Sequence, residues 1–321
     1  MEQRFNFTIS ASSDRRKGRD KTLFFIAQHP EWGSAKMRGL HFIDEWTKID
    51  QRLQNHRETE WIYDLHKCGS ILPCADICVF IGPCDVASYL RDSCCKIKVL
   101  DFVDKYLTKQ NIIDETLYEY DALIVNSNFM KDYFIEKRNF TREIFVVLHH
   151  SDPRWHNVRT TNESESIIFG YSGSLPSLHH TDNFLHWQDL IKRYPLTFVD
   201  TDSGILPEKV DFQCDLSIRP LGTPVSQFKT CAKVATAAAL GHNIITTWDE
   251  AVKDSLPRNY PFLLKDASLV EIQKMMDKVS ADYEGDRHLW NIARRMMEEV
   301  NTKLSLSSIA PTYHRYLLGM L

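Results

Sequence analysis

The chain has 321 residues, of which 43% are hydrophobic and 26% are charged, with a formal net charge of −4. This length exceeds the roughly 250–300 residues at which a single hydrophobic core stops growing, so we expect two domains. The slightly acidic balance excludes the global basic field that drives binding to nucleic acids. No apolar run reaches the roughly 18 residues that cross a bilayer, and the first residues lack a signal peptide's apolar core, so a cytoplasmic protein is expected.

The first 21 residues are polar and contain the basic cluster RRKGR at positions 15–19. A solvated turn is the simplest interpretation of this cluster. The alternative is weak electrostatic contact with an anionic membrane surface, which would hold a cytoplasmic protein close to the membrane.

Apolar strand patterns alternate with helical patterns through the first half of the chain. Strands are predicted at 23–27, 61–63, 77–81, 98–102, 122–125 and 144–148. Helical spacing lies between them, most clearly at 129–137, where the polar residues 126–128 provide a cap. This alternation predicts a parallel sheet with helices on both faces.

The turn after the first strand is a candidate ligand site, because open α/β sheets bind ligands outside the carboxyl ends of their strands. His29, Gly33, Ser34 and Arg38 belong to this turn and to the start of the helix that follows. A lone histidine is more often structural than catalytic, so a structural role for His29 is weighed against a role as a catalytic base.

Six of the eight cysteines fall between residues 68 and 95. None of them has the C-x-x-C spacing that is typical of a zinc site. Cys78 lies in an apolar strand pattern, where a thiol behaves as a small hydrophobic group. The adjacent residues Cys94 and Cys95 are poorly suited to bridging each other. We therefore expect neither a metal site nor a disulfide, as in a reducing compartment.

The polar stretch 154–166 lacks an apolar period and predicts a linker between two domains. The βα pattern then starts again. Strands are predicted at 167–171, 196–199, 216–218 and 243–246, and helices at 182–192, 226–240, 269–279 and 287–304. A last segment, 307–321, ends in a cluster of tyrosines and leucines.

Residues 214–247 combine a strand, a polar turn and an Ala-rich helix that ends at Gly241. We predict Ser226 as the N-cap of this helix. The first amides of a helix lack internal partners and its dipole adds about half a positive charge, so this arrangement holds phosphate. Lys229 and Lys233 are spaced i,i+4 and are predicted to share one face. The alternative is an ordinary α/β helix with two solvated lysines.

Asp200 and Asp202 follow a predicted strand in a D-x-D pattern. Two carboxylates in this spacing can hold Mg²⁺ or Mn²⁺. The pattern is short and common, and a surface turn is its simplest interpretation. Among the functional interpretations, contact with a ribose or base is favoured over metal, because an acidic residue at the end of a second strand meets ribose hydroxyls.

Five stretches, taken in order, resemble the two-domain glycosyltransferases known as GT-B, especially bacterial and viral enzymes that build surface glycans. They are GSAKMRG at 33–39, YDALIVNSNFMKDYF at 120–134, VVLHHSDPR at 146–154, IIFGYSGSL at 167–175 and KTCAKVATAAALGHNII at 229–245. The resemblance implies an α/β fold in which two Rossmann-like parallel-sheet domains face each other across a cleft. Residues 1–153 would bind the acceptor and 154–304 the nucleotide sugar, with the C-terminal helix crossing back so that 305–321 packs on the first domain.

The resemblance also implies a reaction: transfer of a sugar from a nucleotide-diphosphate sugar to a glycan or lipid-linked acceptor, with no metal or other cofactor. Departure of the diphosphate leaves negative charge that a preorganised positive site stabilises. The residues predicted to contact the diphosphate are Ser172, Gly173, Ser174, Arg219, Ser226, Lys229 and Lys233. Those predicted for the donor sugar or the cleft are Gly33, Ser34, His149, His150 and Thr223.

Many retaining members of the group carry two glutamates at positions that align with Phe228 and Thr236 here, so the stereochemical outcome stays open. An inverting reaction needs a general base, for which His29 and Asp104 are the favoured candidates. The other candidates are Asp85 and Asp101. Two alternatives to transfer remain: a non-hydrolysing sugar-nucleotide epimerase, and a non-catalytic module that binds a nucleotide or glycan.

Overall fold

The computed structural model describes residues 21–27, 33–53, 61–67, 74–82, 94–102, 117–160, 164–173, 184–201 and 206–321. Within these ranges the chain forms two parallel sheets flanked by helices, which confirms the predicted α/β class. None of the described helices is both long and apolar enough to span a bilayer.

The first half forms a parallel sheet with the strand order β2-β1-β3-β4-β5-β6. Its strands are β1 (Lys21–Ala27), β2 (Trp61–Lys67), β3 (Ile77–Ile81), β4 (Ile97–Asp101), β5 (Ala122–Val125) and β6 (Glu143–Val146). Every residue of β3 and β5 is buried, as expected for parallel strands covered on both faces. Two hydrophobic clusters result, one on each face of the sheet.

The helices of the first half lie between these strands. They are α1 (Gly33–Ala35), a π-helical turn (Lys36–Leu40), α2 (His41–Leu53), a 3₁₀ turn (Leu117–Glu119) and α3 (Asn128–Glu136). The Ser127 side chain accepts a hydrogen bond from the Met130 amide and caps α3, so the predicted cap is confirmed.

The second half forms a parallel sheet with the order β13-β12-β11-β8-β9. Its strands are β8 (Phe169–Gly173), β9 (Leu196–Asp200), β11 (Cys214–Ser217), β12 (Asn243–Thr247) and β13 (Leu263–Leu264). The short strands β7 (Arg159–Thr160) and β10 (Lys209–Val210) pair separately. Because the chain runs from β8 outward to β9 and later returns to β11 on the other side of β8, the order reverses between β8 and β11.

The helices of the second half cover this sheet. They are a 3₁₀ turn (Pro153–Asn157), α4 (Phe184–Arg193), α5 (Pro224–Phe228), α6 (Ala232–Leu240), α7 (Glu250–Ser255), α8 (Leu269–Glu284), α9 (His288–Lys303) and α10 (Leu306–Leu318). Trp155 of the 3₁₀ turn is buried with Val210, Phe212 and Leu240. The segment after residue 152 therefore packs on the second half of the chain.

The C-terminal helix α10 returns to the first sheet, as the GT-B resemblance implied. Tyr313 packs edge-on against Phe42 and Trp46 of α2, with ring centroids 4.7 and 5.2 Å apart. The Trp46 indole donates to the Ala310 carbonyl at 2.8 Å. Burial of large aromatic rings with this edge-to-face geometry fixes the position of the returning helix against α2.

A second contact between the two halves joins α3 to α5 and α7. Phe228 at the end of α5 packs against Phe129 and Tyr133, with centroids 5.5 and 5.0 Å away. The Asn128 amide and side chain both donate to Asp254 at 2.7 Å. The two sheets are thus connected by apolar and polar contacts besides the linker.

The π-helical turn carries Arg38 into the carboxyl edge of the first sheet. Its Nε and Nη2 donate to the two oxygens of Asp101 at 2.8 and 3.0 Å, and its Nη1 donates to the Val147 and Leu148 carbonyls at 3.2 and 3.4 Å. Arg38 is 2% exposed and Asp101 is fully buried. Arg38 therefore joins the first helix, β4 and the segment that leaves β6, although the sequence placed it in a ligand turn.

The expectation of no disulfides is wrong. The structure pairs Cys74 with Cys94 and Cys78 with Cys95. Both bridges lie near the amino ends of β3 and β4, which run parallel with Ile77 opposite Ile97, so the two preceding segments are neighbours. Cys214 and Cys231 are free and buried.

Reduction of the two bridges should destabilise the protein. They close loops with sequence separations of 20 and 17 residues, and a loop of this length contributes about 3 kcal/mol in the chain-entropy description. Urea unfolding with and without a phosphine reductant measures the loss. Alkylation of unfolded, unreduced protein is the control: mass spectrometry should find Cys74, Cys78, Cys94 and Cys95 unmodified, and their labelling would contradict the pairing.

Removal of the Arg38 side chain should also be costly. Arg38→Met leaves the Asp101 carboxylate buried without its cation, which costs about 3–5 kcal/mol for a buried pair. The double variant Arg38→Met/Asp101→Leu replaces both charges with apolar groups and should regain part of that loss. Equilibrium urea unfolding measures both variants. Equal stability of Arg38→Met and the wild type would show that the Arg38–Asp101 pair does not stabilise the carboxyl edge of the first sheet.

Candidate active site

The strand order of the second sheet reverses between β8 and β11, and we call the space outside the carboxyl ends of these two strands the crevice. Ligands of open α/β sheets bind at such a switch point. Gly173 ends β8, Arg219 follows β11, and α6 begins with Ala232 and Lys233. The sequence-predicted residues Gly173, Arg219 and Lys233 therefore meet at one edge of this sheet.

Lys233 extends from the first turn of α6 to the end of β8. Its Nζ lies 3.1 Å from the centroid of the Tyr171 ring. Among the residues that the structure describes, no carboxylate forms an ion pair with this ammonium. Burial lowers the pKa of Lys233 well below its ordinary value, Arg219 adds to the decrease, and Asp215 opposes it. A partly buried cation without an anionic partner favours an anionic ligand.

Gly173 gives Lys233 the space that it occupies. A Cβ atom at this position would lie 3.0 Å from Lys233 Nζ and 3.0 Å from the Tyr171 hydroxyl. Such contacts are tighter than most side chains make, so a side chain at residue 173 would push on both the ammonium and the ring. Ser174 lies outside the described residues.

Arg219 is oriented by its own partners. Its Nη1 donates to Asp249 at 2.9 Å, its Nη2 donates to the Thr230 carbonyl at 3.2 Å, and its backbone amide donates to Thr247 Oγ1 at 3.1 Å. Its side chain is 15% exposed. The guanidinium is thus fixed at the crevice with part of its charge already balanced.

The prediction of a single helix from Ser226 to Gly241 is wrong. The structure has two helices, α5 and α6, and Lys229 lies between them. Lys229 and Lys233 therefore do not share a helix face. Thr223 Oγ1 accepts from the Ser226 amide at 3.3 Å, and Ser226 Oγ donates to the Thr223 carbonyl at 2.9 Å. Thr223 is the capping residue, and Ser226 is buried inside the first turn.

Ser172 precedes the last residue of β8, Asp200 ends the neighbouring strand β9, and the two side chains have different environments. The Ser172 hydroxyl donates to Asp215 Oδ1 at 3.2 Å, and His242 Nδ1 lies 3.0 Å from Asp215 Oδ2, all within a buried network. This network is not predictable from the sequence, because its members come from three separate parts of the chain. Asp200 is exposed at the end of β9, and Asp202 lies outside the described residues.

Most candidates of the first half stay untested. His29, Asp104 and Asp85 lie outside the described residues, as does the side chain of Ser34. Gly33 is exposed and begins α1. Asp101 is a poor general base, because both of its oxygens accept hydrogen bonds from Arg38 in a fully buried pair.

A group of three imidazoles lies where the chain leaves the first sheet. His150 is fully buried, and its Nε2 lies 3.1 Å from His41 Nδ1. The rings of His149 and His150 stack with centroids 5.9 Å apart. The thiol of Cys231, at the start of α6, contacts the His149 carbonyl at 3.6 Å. His149 and His150 therefore connect the first sheet to the helix that carries Lys233.

Sequence reasoning missed His41 and Tyr171. His41 is three residues after Arg38, a spacing that points to a shared helix face, but nothing marked the imidazole as a partner of His150. Tyr171 belongs to a strand pattern in which an aromatic residue is an ordinary core residue. Across the described part of the chain, no three His, Cys, Asp or Glu side chains are grouped as a metal ion would require.

No protein-family profile matches the chain, and no curated protein sequence matches it. Its fold is similar to that of sucrose-phosphate synthase from Thermosynechococcus elongatus, with a TM-score of 0.60 and 10% identity over 94% of this chain and 100% of that one. A glycosyltransferase from Rickettsia africae has a TM-score of 0.57 and 13% identity over 93% and 98%. Anabaena HepE in complex with UDP and glucose has a TM-score of 0.60 and 10% identity over 93% and 100%. The chain therefore has the predicted GT-B glycosyltransferase fold.

The buried imidazoles should make stability depend on pH. Burial lowers the pKa of His41, and it lowers that of His150 well below the ordinary value. The unfolded chain then binds more protons below pH ~6.5, so stability is complete above that pH and decreases as the pH falls. For His150 the slope approaches about 1.4 kcal/mol per pH unit. Urea unfolding between pH 7.5 and 5 measures it.

His150→Asn removes one of these groups and should flatten the pH dependence, whatever its effect at pH 7.5. His288→Asn is the matched control, since His288 is exposed on α9. This control should keep the wild-type slope. Identical slopes for His150→Asn and the wild type would contradict the role of His150.

Proposed function

We propose that the protein is a glycosyltransferase that transfers a sugar from a nucleotide-diphosphate sugar to a hydroxyl of a glycan or lipid-linked acceptor. The observation that carries the proposal is the Lys233 ammonium. It lies at the switch point of the second sheet without an ion-pair partner among the described carboxylates. In this proposal the donor's diphosphate takes the place of the missing anion.

The similarity of fold supports a nucleotide sugar as the donor. HepE, whose fold resembles that of this chain, has been crystallised with UDP and glucose and with UDP-glucose. A uridine nucleotide is therefore the first ligand to test. The proposed base and ribose contacts are Asp200 and Asp202, of which Asp200 is exposed at the end of β9.

The proposed chemistry follows from charge. Cleavage of the sugar–phosphate bond moves a negative charge onto the leaving diphosphate, and preorganised cations lower the barrier to that step. Lys233 would supply one such cation and Arg219 a second, already oriented by Asp249. Lys229, between the two helices, would supply a third. The proposal needs no metal ion or other cofactor.

The acceptor would enter from the first sheet. His29 and Asp104 are our candidates for the base that deprotonates its hydroxyl. His149 and Gly33 are proposed to contact the donor sugar, together with His150, Ser34 and Thr223. For His150 and Thr223 the role would be indirect, because His150 is fully buried and Thr223 caps α5.

Ligand binding tests the proposal directly. Purified protein is heated with UDP, GDP, dTDP, CDP and their sugars, and a ligand at 100 times its Kd should stabilise the fold by about 2.7 kcal/mol. Lys233→Met should weaken binding about ten- to hundredfold, because a charge-assisted bond contributes roughly 1.5–3 kcal/mol. Lys229→Ala should also weaken it while leaving the fold intact. No stabilisation by any of these ligands would overturn the proposal.

Lys192→Met is the matched control for the lysine variants. Lys192 is 76% exposed in the last turn of α4, which leads to the amino end of β9, the edge opposite the crevice. The Lys192→Met variant should bind the nucleotides with the affinity of the wild type. Turnover then separates the alternatives. Nucleoside diphosphate release with an acceptor indicates transfer, isomerisation without one indicates an epimerase, and binding without turnover indicates a non-catalytic module.

A further inference from the structure

Tyr171 holds a fixed position beneath Lys233. The residue belongs to β8 and is 6% exposed. Its ring packs edge-on against Trp187, with centroids 5.3 Å apart, and contacts Phe198 at 6.3 Å. A tyrosine enclosed by a strand backbone and two aromatic rings has little rotational freedom. The face of its ring is therefore a rigid surface on which Lys233 Nζ rests, 3.1 Å from the centroid.

The carboxylates of Asp215 and Asp249 are engaged by groups other than this ammonium. The two oxygens of Asp215 face Ser172 and His242 at 3.2 and 3.0 Å. The carboxylate of Asp249 accepts from Arg219. Since these two acids have partners of their own, the Lys233 ammonium lies on a ring face, whose negative quadrupole attracts a cation.

We propose that Tyr171 is a positioning residue, whose ring holds the Lys233 ammonium at the crevice, ready to bind an anionic ligand. A carboxylate at this place would form an ion pair that a ligand has to break. A ring face attracts the ammonium more weakly and leaves its N–H groups free for a phosphate. The lysine is ordered before the ligand arrives, so less side-chain entropy is lost on binding. That the anion is a nucleoside diphosphate rests on the proposed function, whereas the ring–ammonium contact does not.

Gly173 belongs to the same arrangement. A methyl group at residue 173 would lie 3.0 Å from Lys233 Nζ and 3.0 Å from the Tyr171 hydroxyl, and Trp187 and Phe198 hold the ring while the lysine tip can move. Gly173→Ala should therefore displace the ammonium from the ring without unfolding the protein. This variant gives a test that does not depend on removing a core aromatic residue.

The ring–ammonium contact can be measured without any ligand. Protein with ¹³C at the lysine Cε positions gives one εCH₂ signal per lysine, and Lys233→Met identifies that of Lys233. A group above an aromatic face is shifted upfield by the ring current. We expect an upfield Lys233 signal in the wild type and in Tyr171→Phe, its return to the position of the other lysines in Tyr171→Leu, and a smaller upfield shift than in the wild type in Gly173→Ala. A Lys233 signal among the other lysines in the wild type would overturn the proposal.

Binding of UDP tests the consequence for the site. Tyr171→Phe keeps the ring and should bind UDP as the wild type does. Tyr171→Leu should bind about tenfold more weakly, the scale of one cation–π contact, and Gly173→Ala should lose a smaller part of the affinity. Circular dichroism and the Tm confirm folding, and Gly173→Ala carries the test if Tyr171→Leu does not fold. Wild-type affinity in both variants would overturn the role of Tyr171 in binding.

The two experiments separate the two proposals. If the wild type binds none of the nucleotides, the proposed function fails, while the NMR signal still decides whether Tyr171 positions Lys233. If the wild type binds UDP and Lys233→Met does not, the function stands. Unchanged binding in Tyr171→Leu and Gly173→Ala then rejects only the positioning role.

Discussion

The buried pair between Arg38 and Asp101 connects the parts of the molecule on which the candidate site depends. One guanidinium satisfies both oxygens of a buried carboxylate and two carbonyls just beyond β6. Such a pair is stable only because its hydrogen bonds are complete. The chain leaving that point reaches His149, whose carbonyl contacts the Cys231 thiol at the start of α6. A continuous set of contacts thus runs from the first sheet to the helix that carries Lys233.

The charged side chains at the second sheet are arranged differently from the Arg38–Asp101 pair. Asp249 faces Arg219, and Asp215 faces Ser172 and His242, so these two acids have partners within the protein. A buried charge without compensation is costly, and proteins retain one mainly where a ligand supplies the missing partner. Lys233 fits this description, with an aromatic face in place of an acid. The geometry of the site therefore depends both on the charged side chains that are paired within the protein and on Lys233, which has no ion-pair partner among the described carboxylates.

The longer strands and the overall fold were predictable from the sequence, whereas the two-residue strands β7, β10 and β13 and the exact helix ends near the site were not. Parallel strands covered on both faces are continuous apolar runs, which β3 and β5 show plainly. Residues 226–240 are mostly good helix formers, and the low helix propensity of Thr230 and Cys231 at the break between α5 and α6 is too weak a signal to predict it. The break coincides with a tertiary contact, since Phe228 turns into the aromatic group of Phe129 and Tyr133 on the other half of the chain. Tertiary packing overrides propensity in such cases.

The disulfides and the Lys233 site show why contacts between distant residues are harder to predict from sequence than the strand or helix to which a residue belongs. The two bridges depend on β3 and β4 being neighbours in one register, which spacing along the chain does not reveal. The sequence predicts that Lys233 shares a helix face with Lys229, and that part of the prediction is wrong. It remains the leading candidate for a different reason, its place above Tyr171 at the strand end. A binding-site residue is thus identified by the groups that the fold places around it and, for Lys233, by the lack of a carboxylate ion-pair partner among the described residues.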